Sequence, residues 1–90
     1  MRVYPTPDFS RAIEDFPVRQ QNLAKALYNN ITRLTSQELY AKGWLHKLSG
    51  EDSCLHVLRL HELRVLCRID ADHKGEYMIL LEAGVMHKRE

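Results

Sequence analysis

Ninety residues, 44% of them hydrophobic and 28% charged, suffice for one small α+β domain over 1–90 with a single modest core and leave no room for a second. No apolar run approaches the roughly 18 residues of a membrane span, and the opening Met-Arg-Val-Tyr-Pro-Thr-Pro-Asp lacks the apolar core of a secretion signal, so a cytoplasmic protein with no membrane partner is expected. The formal net charge is only +1, with seven Lys/Arg against six Asp/Glu in residues 1–52 and six of each in 53–90, which excludes a broadly basic nucleic-acid-tracking domain; any anion site must arise from placement on one face.

Arg2 to Tyr4 reads as a short edge strand stopped by Pro5 and Pro7. Thr6 is a helix cap with Pro7 in the first turn, where its missing N–H costs nothing. Phe9, Ala12, Ile13 and Phe16 then recur at helical spacing, and after Pro17 a second helix is expected from about Val18 to Leu34, with Leu23, Leu27, Ile31 and Leu34 as its apolar stripe. A helical hairpin over residues 7–34, packed on one face of a sheet, follows from these two stripes. Thr35-Ser36-Gln37-Glu38 has the form of a capping box for one further turn, ended by Gly43, and Trp44, Leu45 and Leu48 read as a clamp over the core edge.

From Cys54 to Val85 the chain changes character. Runs rich in Val, Ile, Leu and Tyr, separated by His61-Glu62 and by Asp72 to Gly75, predict a mostly antiparallel meander in a three- to four-stranded sheet. Side chains alternate across a strand, so His56, Leu58 and Leu60 share one face with Leu63, Val65, Cys67 and Ile69, whereas Arg59, Arg64 and Arg68 leave the other. If the turn centres on His61-Glu62, Leu58 pairs with Val65 and Arg59 lies against Arg64; those two residues lack the Gly or Asn of a two-residue hairpin, and a longer, bulged turn is the alternative. Like charges directly opposite each other are unfavourable by about 0.2–1 kcal/mol, and an anion held between them accounts for the placement. His56 points inward and reads as a buried, hydrogen-bonded core histidine. Cys54, His56, His61 and Cys67 have the wrong spacing for a closed zinc site, both cysteines read as thiols rather than a disulfide framework, and neither metal nor cofactor is expected.

Several motifs in series resemble the RelE/ParE toxin superfamily, including its HigB-like members. Lys47, Leu48 and Gly50 match its Lys-Leu-x-Gly lead-in to the sheet; Leu58-Arg59 match its Leu-Arg pair; Leu63 to Ile69 match Tyr-Arg-Val-Leu-Tyr-Arg-Ile, with Leu63 and Cys67 replacing tyrosines; and His87, Lys88 and Arg89 match the basic segment after the last strand. The resemblance implies the toxin of a type II toxin–antitoxin pair, partnered by a cognate antitoxin and acting as a metal-independent endoribonuclease on mRNA at the ribosome. Arg64, His87 and Arg59 are the catalytic candidates it implies: two guanidiniums to offset charge on the phosphoryl oxygens and an imidazole for proton transfer. Arg68, Lys88, Arg89 and Lys47 are the RNA-binding candidates. Leu55 and Val57 stand where RNA-cleaving members carry Lys or Glu, and ParE-like members that inhibit DNA gyrase share the fold, so a non-catalytic member, such as a ParE-like gyrase inhibitor or an inactive antitoxin-binding homologue, is the alternative.

Overall fold

The computed structural model describes residues 1–48 and 54–86. In chain order these form β1 (Arg2–Pro5), α1 (Pro7–Glu14), α2 (Val18–Ile31), α3 (Ser36–Ala41), β2 (Leu45–Lys47), β3 (Leu55–Leu60), β4 (Leu63–Asp72) and β5 (Gly75–Val85). The strands make one sheet in the order β1-β5-β4-β3-β2. All pairings are antiparallel except β1 on β5, which is parallel.

The architecture is the expected α+β arrangement of helices on a mostly antiparallel sheet, with five strands rather than three or four. The additional strand is β2. Leu45 does lie in the core, at 2% exposure, but residues 45–47 also hydrogen-bond along β3, with Leu45 opposite Leu58. Three residues are too few for a period-2 pattern to be read from sequence.

Thr6 fixes the start of α1. Its hydroxyl accepts from the Phe9 amide at 3.3 Å and donates to the Leu80 carbonyl at 2.7 Å, so one side chain caps the helix and ties it to β5. That tie sits at an irregularity in the sheet. Leu66 pairs with Glu82 but Cys67 pairs with Leu80, leaving Leu81 as an extra residue in β5. Beyond this bulge, Ala83 and Val85 turn to the helix side opposite Val65 and Leu63, while Gly84 sits beside Arg64 on the other side.

Helix α2 ends at Ile31, three residues short of the expected Leu34. The amino-terminal ammonium of Met1 donates to the carbonyls of Ile31, Thr32 and Leu34 at 3.4, 3.4 and 3.0 Å, a cation placed on the negative end of the helix. Of the expected stripe, Leu27 and Ile31 are fully buried and Leu23 and Leu34 half-buried; Ala24 joins them. Helix α3 begins with the capping box of Thr35 and Glu38 and ends where Gly43 adopts φ 75°.

The core lies between helices and sheet, where Leu39, Leu58, Leu63, Cys67 and Met78 are each 0% exposed. His56 lies there too, as expected. Its Nδ1–H donates to the Cys54 carbonyl at 2.8 Å, which makes Nε2 the acceptor for the Tyr40 hydroxyl. Neither cysteine is in a disulfide. Burial pushes the Cys67 thiol up to about 12. No helix among the described residues is long and apolar enough to cross a membrane.

Candidate functional site

β3 and β4 join through the two residues His61 and Glu62, in the register that places Arg59 opposite Arg64 and Leu60 opposite Leu63. The turn closes without the Gly or Asn usually found there because His61 takes a left-handed backbone, φ 53°. Its carbonyl then accepts a hydrogen bond from Arg64 Nη1 at 2.6 Å, and the same nitrogen donates to the Leu63 carbonyl at 2.9 Å. These two bonds draw the Arg64 guanidinium to the turn, and on its other flank Arg64 faces Gly84, which has no side chain to crowd it. Among the described residues no carboxylate forms an ion pair with Arg59 or Arg64.

A cleft of about 680 Å³ opens here between the first turn of α2, the β3–β4 turn and the end of β5, lined by Arg19, Gln20, His61, Glu62, Arg64, Val85 and Met86. The Met86 amide donates to the Glu62 carbonyl at 2.7 Å, pinning the end of β5 to the turn. The Glu62 carboxylate receives Arg19 Nε at 3.4 Å and Gln20 Nε2 at 3.2 Å. A hydrogen bond from its own backbone N–H, followed by the Arg19 charge and the Gln20 amide, holds this carboxyl below its ordinary range despite desolvation. Two guanidiniums therefore face one carboxylate that is already engaged, and the cleft has positive charge to spare for an anion.

The other sequence candidates distribute differently. Arg59 is exposed and adjacent to Arg64 across the strands but does not line the cleft. Arg68 shares the outward face, opposite Leu55 and Ile79, four residues and so about 13 Å along β4 from Arg64. Lys47 pairs with His56 at the end of β2 and therefore leaves the helix side of the sheet, away from the arginines. His87, Lys88 and Arg89 lie outside the described residues. Between Arg64 and Arg68 the outward face carries Val57 opposite Leu66, both half-buried, flanked in register by His46 on β2 and Glu82 on β5.

Arg19, Gln20 and Glu62 were not foreseen as site residues. An arginine and a glutamine in a helix's first turn carry no periodic signal, and what brings them here is the angle at which α2 starts after Pro17. His61 was visible only as a turn residue, because nothing in the sequence announces a positive φ.

No protein-family model matches the sequence, and no curated protein does. Solved structures do match by fold. The toxin–antitoxin complex RelBE2 of Mycobacterium tuberculosis contains a chain that superposes with a TM-score of 0.63 at 19% identity, over 93% of this chain and 95% of that one. The YoeB/ParE toxin of Agrobacterium tumefaciens superposes with a TM-score of 0.64 at 14% identity, over 97% of this chain and all of the other. Helices on one face of this five-stranded sheet, with the arginine-bearing hairpin at its centre, define a small α+β fold. The fold is the one shared with these two solved structures.

Proposed function

We propose that this chain is the toxin of a type II toxin–antitoxin pair and that it cleaves mRNA on the ribosome, by attack of a ribose 2′ hydroxyl on the adjacent phosphate. The observation that carries the reading is Arg64, a guanidinium fixed by two carbonyls, unpaired with any carboxylate among the described residues and lining an open cleft with Arg19. Charge accumulates on the non-bridging phosphoryl oxygens during the attack, and a cation already in position stabilises it without reorganisation. Arg59 adds a second charge from the neighbouring strand. His87 suits proton transfer, and Arg68, Lys47, Lys88 and Arg89 contact the RNA backbone beyond the scissile bond. The reaction uses no metal or cofactor, since the cations are all side chains. The RelBE2 match comes from a toxin–antitoxin complex, and a cognate antitoxin is the proposed protein partner here.

The apolar pair Val57 and Leu66, flanked in register by His46 and Glu82, favours a second reading, a gyrase-binding toxin of the ParE kind, because protein-binding surfaces have apolar centres and polar rims. One experiment separates the two. On induced expression, the nuclease reading gives new transcript 5′ ends within translated frames and unchanged supercoiling by gyrase; the other gives inhibited supercoiling and intact transcripts.

A further inference from the structure

His61 supplies the cleft with what the arginines lack, a group able to accept a proton at neutral pH. Three other histidines belong to the described residues, and none competes. His56 is buried on the helix side with both ring nitrogens engaged. His46 bonds the Gly43 carbonyl through Nε2 at 2.9 Å. His73 lies in the β4–β5 turn, at the opposite end of the sheet. His61 is exposed, lines the cleft beside Arg64, and its ring meets no hydrogen-bond partner among the described residues. Glu62, the carboxylate of the same cleft, is taken up by Arg19 and Gln20. Held below its ordinary range by its own backbone N–H and these neighbours, it is a poorer base than a carboxylate left alone.

The backbone points the same way. A positive φ is uncommon outside glycine, and residues kept in such conformations cluster where function requires them. At His61 it serves two ends: the carbonyl holds the Arg64 guanidinium, and the side chain stands on the cleft wall.

Building on the nuclease reading, we infer that His61 is the general base of the cleft, its neutral imidazole taking the proton from the attacking 2′ hydroxyl of an RNA whose scissile phosphate sits on Arg64. The O2′–P bond forms as the P–O5′ bond breaks, the 2′ proton passes to the imidazole, and the departing 5′ oxygen takes a proton from solvent water. The products are a 2′,3′-cyclic phosphate and a 5′ hydroxyl, and the imidazolium returns its proton to solvent. A base in this turn also accounts for a sheet that carries Leu55 and Val57 rather than polar side chains.

The test uses the purified chain and ribosomes programmed with a defined mRNA, measuring single-turnover cleavage as a function of pH. His61→Asn is the informative variant. Asparagine tolerates positive φ, so the turn and its carbonyl bond to Arg64 survive, and thermal melts verify that they do. The wild-type rate is expected to rise with pH through a limb as the base loses its proton. His61→Asn should be about 10²–10⁴-fold slower at the plateau and should lack that limb, with added imidazole restoring part of the rate. A folded His61→Asn that keeps both the wild-type rate and the limb, while Arg64→Ala is inactive, overturns the assignment and leaves the nuclease reading standing. A wild-type chain that cleaves no mRNA on ribosomes overturns both.

Discussion

Arg64→Ala separates the work done by this side chain in the fold from its work in the cleft. Two hydrogen bonds are lost, to the carbonyls of His61 and Leu63. The first carbonyl is exposed and water replaces the guanidinium there, so the combined loss is nearer the ordinary 0.5–1.5 kcal/mol of a single neutral bond than the sum of two charged ones. Relief of the cross-strand pairing with Arg59 returns up to about 1 kcal/mol. The net change in stability stays below about 1 kcal/mol, a shift of no more than roughly 4–8 °C in Tm for a domain of this size, and the chain remains folded at growth temperature. Loss of a preorganised charge on the phosphate, in contrast, costs about 2.7–4 kcal/mol, a hundredfold to a thousandfold in rate. Arg64→Lys keeps the charge but cannot reproduce the planar fork and should fall between. Arg68→Ala, outside the cleft, should lose less activity than Arg64→Ala. Urea denaturation and cleavage of ribosome-bound mRNA, run on the same preparations, give both quantities. An Arg64→Ala protein with wild-type cleavage, or one whose loss is fully explained by its unfolded fraction, refutes the reasoning.

Thr6→Val keeps the shape of the side chain but removes both its cap to Phe9 and its bond to the β5 bulge; a loss of about 1–2 kcal/mol is expected, recovered by Thr6→Ser, and equal denaturation midpoints for Val and wild type contradict it. Asp72 is held below its ordinary carboxyl range by the hydrogen bonds of Arg2 and then of the Lys74 amide. A depressed folded value contributes stability above the unfolded pKa of about 3.9 and loses it as pH falls through the folded value. Asp72→Asn should therefore melt below wild type at neutral pH and converge with it in acid, and a gap that persists below the titration would mean that the Arg2–Asp72 contact at 2.6 Å is not its source. Cys67, 0% exposed and pushed up to about 12 by burial, should resist alkylation until the chain unfolds while Cys54, half-buried, labels first; mass spectrometry with and without denaturant reads the order, and equal native rates would argue against the buried position.

Alternation over two long runs made the faces of β3 and β4 readable, and with the turn placed at His61-Glu62 the expected register is the observed one. Its consequence, Arg59 against Arg64, was readable with it. The path of the Arg64 guanidinium was not: it bends to a carbonyl that exists in that orientation only because His61 has φ 53°, and dihedral signs leave no trace in composition. β2 escaped notice for want of length, and the early end of α2 for want of any local signal, since the group that takes its last carbonyls is the Met1 ammonium some 30 residues away in sequence. Arg19 and Glu62 meet only through tertiary packing. The outward arginines were legible as a charged face; the cleft was not, since its walls come from three separate parts of the chain.

The parallel pairing of β1 on β5 bears on when, during synthesis, the protein becomes complete. Thr6 reaches Leu81 across 75 residues of chain, and at roughly 5–20 residues per second a ribosome needs about 4–15 s to traverse that interval. Throughout it β1 has no neighbour to pair with, and the apolar stripes of α1 and α2 have no finished sheet to cover. The cleft waits longest, because Met86 must emerge before its amide can reach Glu62. The cleft is therefore the last part of the described fold to assemble, and until then the apolar surfaces that the finished sheet covers stay exposed.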